Sequence, residues 1–274
     1  MREFEFTQAD FDMLRVLSNN YTGILVPDDK FDMFYSRLSK RLRFRGMTSF
    51  KQYCQFLKSH PDEEFTYFIN AITTNLTSFF RENHHFEFLI QNTIPALLKI
   101  NQGEKQIKVW SAGCSTGEEP YSLAMVLKEH VPDGWDIKIL ATDLDTNVLA
   151  TARGGVYTTD RLSGIDQHRM KRWFQKGTGN QANKVRVKEE LRQLIQFKQL
   201  NLMGEWPMKG MFDFIFCRNV LIYFDNQTKL KLVGRYVNFL KDHSLLFIGH
   251  SESLYQFDVG LTQIGTTIYQ KTKI

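Results

Sequence analysis

Cysteine is scarce in this chain, long apolar runs are missing, and acidic residues vanish from one stretch of it. The 274 residues include three cysteines, Cys54, Cys114 and Cys217, far apart and without a CxxC pair. Such spacing supports neither a disulfide framework nor a zinc site. No run approaches the roughly 18–20 uncharged apolar residues of a membrane span. The opening Met1-Arg2-Glu3-Phe4-Glu5 carries acids and no apolar signal-peptide core. These absences imply a reducing, cytoplasmic protein. Internal repeats and low-complexity tracts are absent. So is any GKS or GKT sequence, which removes the phosphate loop of nucleotide hydrolases.

Between Met33 and Pro61 there is no Asp or Glu, while Arg37, Lys40, Arg41, Arg43, Arg45, Lys51 and Lys58 contribute +7. The whole chain carries +5, so the remainder nets −2 and the basicity is local. A usual charge run is a solvated face. Seven cations without an intervening acid read instead as a docking surface for an acidic partner. The composition, 42% hydrophobic with 23 Phe, excludes a disordered chain and allows a large domain plus a small one.

The first third predicts short helices. Thr7-Gln8-Ala9-Asp10 resembles a capping box ahead of Phe11, Leu14 and Leu17, with Gly23 as the stop. Phe31, Phe34, Tyr35, Leu38 and Leu42 form one helical stripe closed by Gly46. A third helix, about Ser49 to Ser59, buries Phe50, Tyr53 and Leu57. A fourth follows Pro61, with Asp62, Glu63 and Glu64 placed to suit the helix dipole and with Phe65, Phe68, Ile69 and Ile72 inward.

After a connector at Asn75–Arg81 and a helix from His84 to Lys99, strands and helices alternate. Strands are expected at Ile107–Ala112, Ile137–Thr142, Phe212–Cys217 and Leu245–Gly249, and helices at Tyr121–Val131, Asn147–Arg153 and Gln227–Leu240. That rhythm argues for a parallel sheet covered on both faces, with ligands at the carboxyl ends of its strands. It breaks between Gly154 and Leu200. There a helix, the turn Gly177-Thr178-Gly179 and strand candidates Val185–Val187 and Leu194–Leu202 suggest an antiparallel insert.

The sharpest local feature is Val109-Trp110-Ser111-Ala112-Gly113-Cys114-Ser115-Thr116-Gly117-Glu118-Glu119-Pro120, a strand running through a glycine loop into a helix. Glycines there let the backbone approach a ligand, and the next strand ends in Asp143, where nucleotide folds place a carboxylate on ribose hydroxyls. Helix N-termini attract phosphate, but Glu118 and Glu119 would repel it. A nucleoside with a cationic amino group and a sulfonium has no phosphate to repel, which points to S-adenosylmethionine. Glu118 is read as a capping charge worth about 0.3–1 kcal/mol at an exposed end, and Glu119 as a ligand contact. Phe216-Cys217-Arg218-Asn219-Val220-Leu221-Ile222-Tyr223-Phe224-Asp225 follows another strand, so Asn219 should emerge at the ligand edge. Base-directed amino methyltransferases carry a Pro-Pro pair at this place, and Val220-Leu221 replaces it here. A nucleic-acid methyltransferase is therefore disfavoured, although the pI of about 9.0 supports it. A non-catalytic cofactor sensor is a further rival. Cys114 and Cys217 read as small buried residues, and His84-His85 lacks a third ligand, so no metal is expected. His250 is left between a pocket and a structural role.

Taken together, Thr74-Asn75-Leu76-Thr77-Ser78-Phe79-Phe80-Arg81, Trp110–Ser122, Ala141-Thr142-Asp143-Leu144-Asp145, Phe216–Asp225 and Gly249-His250-Ser251-Glu252 closely resemble the CheR family of chemotaxis-receptor methyltransferases, from about residue 10 onward. The resemblance implies an α/β fold. A small all-helical N-terminal domain (1–74) and a linker (75–83) precede a Rossmann-like methyltransferase sheet (84–274) with a small antiparallel β-subdomain inserted at about 155–200. By the family pattern Asn75, Thr77 and Arg81 reach the cofactor from the linker. Glu119 and Asp143 hold its methionine and ribose parts, and Asn201, Leu202, Arg218 and Asn219 complete the pocket. Arg81 and Tyr223 would lie nearest the transferred methyl. The implied reaction moves that methyl from S-adenosylmethionine to glutamate carboxylates of methyl-accepting receptors, leaving S-adenosylhomocysteine. A monomer is expected, with Arg37, Lys40, Arg41, Arg43 and Arg45 docking on the receptor's methylation helices. The short turn Gly179–Val185 resembles that of members whose insert binds a receptor's C-terminal peptide as an added strand.

Overall fold

The structure is a computed structural model that describes residues 2–272. Helices α1 (Gln8–Thr22), α2 (Phe31–Arg45), α3 (Phe50–Ser59) and α4 (Pro61–Ile72) form the first body. The capping box at Thr7 and Asp10 is made in both directions, and Gly23 and Gly46 close α1 and α2 in the left-handed conformation. Phe11, Leu14, Phe34, Leu38, Leu42, Phe50, Tyr53, Leu57 and Phe68 meet in one core. Each such side chain contributes roughly 1.5–3 kcal/mol on full burial. Phe31, Tyr35 and Phe65, expected inside, are half-buried at its margin.

A helical run follows, α5 (His84–Phe88) and α6 (Ile94–Ile100), widened into a π-turn over Leu89–Thr93 ahead of Pro95. The chain then alternates through β1 (Gln106–Ala112), α7 (Glu118–His130), β2 (Asp136–Asp143) and α8 (Thr146–Gly154). Next come β3 (Val156–Thr158), α9 (Gln167–Trp173), β4 (Phe174–Lys176), β5 (Lys184–Val187), α10 (Glu189–Arg192) and β6 (Ile195–Gln199). The last elements are β7 (Phe212–Cys217), α11 (Asn226–Phe239), β8 (Leu240–Ile248), β9 (Leu261–Gly265) and β10 (Ile268–Lys271).

The large sheet has the order β6-β2-β1-β7-β8-β10-β9, parallel from β6 to β8 and antiparallel at β10 and β9. Alternation sorts its side chains. Val109, Phe214 and Phe216 enter the core on one face, Trp110, Ile215 and Cys217 that on the other. The strand order reverses between β1 and β7, so loops leaving these two strands diverge and open a crevice at their carboxyl ends. Leu194–Leu202 is a correction to the expected insert: β6 lies beside β2 in the large sheet, parallel and in register from Ile139↔Ile195 to Asp143↔Gln199. The small antiparallel sheet is β3-β5-β4 alone. The pair β9 and β10 was not anticipated; β9 has no fully buried residue to mark it.

The helical body joins the sheet through polar contacts. Asn70 Nδ2 donates to Thr146 Oγ1 (2.7 Å), Thr73 Oγ1 and Asn75 Nδ2 donate to Asp145 Oδ2 (2.7 and 2.9 Å), and Asn201 Nδ2 donates to the Tyr21 carbonyl (2.6 Å). The Leu25 N–H donates to the Tyr223 carbonyl at 2.8 Å. Among the described residues no helix is long and apolar enough to cross a membrane.

Candidate active site

The crevice opens into a cavity of about 550 Å³ between the two bodies, within the range of roughly 300–1,000 Å³ for small-molecule sites. Asn75, Thr77 and Arg81 line it from the linker, Glu119 from the first turn of α7, Asp143 from the end of β2, Asn201 and Leu202 from the segment after β6, and Arg218, Asn219 and Tyr223 from that after β7. All ten residues expected at the cofactor or the reacting methyl thus face one space. Thr22, Ile24, Leu25, Val26, Pro27 and Lys30 of the helical body close its other side.

Two glycines shape the floor. A Cβ on Gly113 would lie 2.4 Å from Val220 Cγ2, so β1 and β7 could not release their loops this close with any side chain there. Gly117 stands at φ +99°, and its Cβ would meet Ala152 at 2.8 Å. Phe80, Glu82, Ser115 and Asn219 also hold positive φ, between 49° and 58°. Left-handed backbone at such residues costs about 1–3 kcal/mol each and collects at functional sites.

Most of the inner polar groups are engaged. Asp143 accepts from the N–H groups of Ser115 (2.8 Å) and Asp145 (3.0 Å). Burial outweighs those bonds and pushes its carboxyl up to about 6. Glu119 accepts from Ser111 Oγ (2.7 Å) and Arg218 Nη1 (3.3 Å), and burial raises it too, against the pull of Arg218. Arg218 also donates to the Arg81 carbonyl and lies 3.3 Å from Glu82. At the rim, Arg81 Nη1 holds the Leu76 carbonyl at 2.9 Å. Burial raises the Tyr223 phenol while the charge of Arg81 opposes it.

Sequence patterns overlooked Glu82, which binds Arg218, Asn219 and His250 together: His250 Nδ1 lies 2.7 Å from Glu82 Oε1. Its adjacency to Arg81 was the available signal. His250 is exposed and stands outside the cavity lining. Glu118 is a correction. It is fully buried, not an exposed capping charge, and pairs with Arg161 of the insert. Tyr157 and Arg161 also bind the Thr116 carbonyl (2.7 Å) and hydroxyl (3.2 Å), so the insert braces the glycine loop. The basic cluster requires correction as well. Arg41 and Arg45 both bind the buried Glu64 (2.8 and 2.9 Å), Arg43 pairs with Glu3 (2.7 Å), and Arg37 donates to the Thr73 carbonyl (2.6 Å). Acids from outside the window answer cations that looked unopposed along the chain. Among the described residues Lys40 makes no ion pair, and it is exposed.

Residues 75–270 match the family model described as CheR methyltransferase, SAM binding domain, and residues 9–73 match CheR methyltransferase, all-alpha domain. The chain belongs to the CheR methyltransferase family. Within this family, chemotaxis protein methyltransferase 2 of Pseudomonas aeruginosa is 44% identical over 271 residues, covering 98% of this chain and 95% of that protein. The Escherichia coli chemotaxis protein methyltransferase is 42% identical (97% and 92%), and that of Borreliella burgdorferi 41% identical (88% and 87%). This CheR-family chain is an S-adenosylmethionine-dependent methyltransferase. Its cavity suits that cofactor on its own terms. Two buried carboxylates, both raised by desolvation, favour a ligand bringing an ammonium and hydroxyl donors. The buried Nε of Arg218 has no partner and suits a carboxylate.

Proposed function

We propose that this enzyme esterifies glutamate side chains of methyl-accepting chemotaxis receptors. One observation carries the reading: among the described residues no histidine lines the cavity, and its two carboxylates, Glu119 and Asp143, are already hydrogen-bonded. An amine or alcohol substrate needs a base to take its proton. A glutamate, with an unperturbed pKa of about 4.3, arrives ionised at neutral pH and needs none. The names of the relatives, chemotaxis protein methyltransferases, agree with a receptor substrate.

Bound S-adenosylmethionine supplies an electrophilic methyl on a sulfonium. Glu119 and Arg218 would hold its amino-acid end and Asp143 its ribose, with Asn75, Thr77, Asn201, Leu202 and Asn219 around the rest. Arg81 draws the incoming carboxylate to the rim and Tyr223 holds it in line. Alignment of this kind is worth roughly 7–11 kcal/mol in well-oriented reactions, and excluding water strips the carboxylate of hydration that blunts it.

The same reading assigns the helical domain (1–74) to receptor docking, the linker (75–83) to the cofactor, and the remainder (84–274) to catalysis. Docking narrows to the outward side of α2, where Lys40, Arg43 and the exposed Phe44 stand; Arg37, Arg41 and Arg45 serve internal pairs first. The β3-β5-β4 sheet offers an edge for a receptor tail as an added strand. A cytoplasmic monomer, reaching the membrane only through the receptor and binding no nucleic acid, completes the picture.

The test is transfer from tritiated methyl donor to receptor-containing membranes, followed by mild alkali. Base-labile label on a receptor-sized protein supports a glutamate ester, and base-stable label or label on nucleic acid refutes it. Arg81→Ala should lose about a hundredfold or more in turnover while staying folded. Near-normal turnover would remove Arg81 from this role.

A further inference from the structure

We propose that Glu252 is a positioning residue for methyl transfer, a buried carboxylate clamp on the loop that presents Arg218, Asn219 and Tyr223 to the reacting groups. The role of that loop rests on the glutamate reading above. Gly249-His250-Ser251-Glu252 follows β8 directly, and Glu252 stands outside the cavity lining, so it acts through the loop and not on the substrate.

The carboxylate is 7% exposed, and among the described residues it has no cationic partner. Three backbone N–H groups take that place. Oε2 accepts from Asn219 (3.0 Å) and Gly249 (2.5 Å), and Oε1 accepts from Ile222 (3.1 Å). A buried carboxylate is tolerated only when hydrogen-bonded, and buried N–H groups likewise need acceptors. Each side therefore requires the other.

The clamp spans two loops that touch. A Cβ on Gly249 would fall 2.5 Å from Asn219 Nδ2 and 2.7 Å from Asn219 N, so the loops meet backbone to backbone. Asn219 itself stands at φ 58°, in the left-handed region that asparagine tolerates better than most residues. From this pinned stretch Asn219, Val220, Ile222 and Tyr223 reach the cavity. A loop freed to shift by about 1 Å can cost on the order of a hundredfold in rate.

The experiment uses the full chain with Glu252→Gln and Glu252→Asp. Glutamine keeps the shape but turns an NH2 toward N–H donors. Aspartate keeps the charge but falls one methylene short. Turnover on receptor membranes should drop about tenfold to a hundredfold in both, a larger factor than any rise in KM for the methyl donor. Unchanged turnover per folded molecule, with or without a lower Tm, overturns the proposal. A wild-type enzyme inactive on receptors would instead strike at the substrate reading. Hydrogen exchange in the wild-type chain decides the clamp independently of kinetics and of the variants' folding. The amides of Asn219, Ile222 and Gly249 should exchange slowly and together, and fast exchange at any of them overturns it.

Discussion

Replacing Arg218 with methionine should damage this fold more than any surface change, and with a pH signature of its own. The guanidinium is 2% exposed and lies 3.3 Å from both Glu82 and Glu119. It also stands 5.5 Å from the Phe216 ring centroid and 5.7 Å from that of Phe86. Methionine keeps the length and apolar bulk but leaves two buried carboxylates uncompensated. Breaking a buried pair in this way costs about 3–5 kcal/mol. Each kcal/mol lowers Tm by about 2–4 °C in chains of roughly this size, so the drop should be about 6–20 °C. The sign with pH follows from the two acids. Burial would raise Glu82, but the His250 hydrogen bond and the charge of Arg218 hold it at about 2. Its stabilisation is thus present above the unfolded value of about 4.3 and fades as pH falls toward 2. Burial raises Glu119, so its ionisation opposes folding as pH climbs, and more so without Arg218. Both effects make the variant's deficit largest at neutral pH and smaller below about pH 4. Scanning calorimetry of both proteins between about pH 3 and 8 reads this directly. A Tm drop under about 2 °C, or a deficit flat with pH, refutes the reasoning.

Affinity for S-adenosylmethionine should weaken as pH falls through about 6, where the Asp143 carboxylate takes a proton; Asp143→Asn should bind about tenfold weaker or worse and lose that dependence, as calorimetric titration would reveal. The same raised pKa means that, without ligand, this group stabilises the fold below its unfolded value and ceases to do so as pH rises through about 6. Arg161→Ala should weaken cofactor binding about threefold to tenfold through the loosened Thr116–Glu118 turn, and should lower Tm as well because the buried Glu118 loses its cation; unchanged affinity would show that the brace is idle. Glu64→Gln removes the charge that Arg41, Arg45 and Tyr53 share in the helical core. It should destabilise that domain by about 3 kcal/mol, and an unshifted urea midpoint would contradict it.

Much of this molecule is written locally. The stripe Phe34, Leu38 and Leu42, the box at Thr7 and Asp10, and the glycine stops are short-range signals, and each formed the helix it implied. The strand–loop–helix at Gly113–Glu119 and the Asp143 carboxylate likewise follow from period and spacing, and the uncommon motifs around them bring ten residues to one cavity. Partnership is not local. The alternating segment Ile195–Gln199 reads the same whichever sheet it joins, and only assembly set it beside β2. The cations of α2 looked free until Glu64 and Glu3 folded against them from outside the acid-free stretch. Glu118 read as an exposed capping charge, and no local pattern gave Glu82 or Glu252 a role; in the fold they are a buried brace, a cation bridge and a backbone clamp. Sequence alone set most of the elements, the glycine loop and the family, because periodicity and motif spacing act within a few turns of chain. Tertiary structure decided which charges are paired and which strands adjoin, because those depend on segments brought together from across the chain.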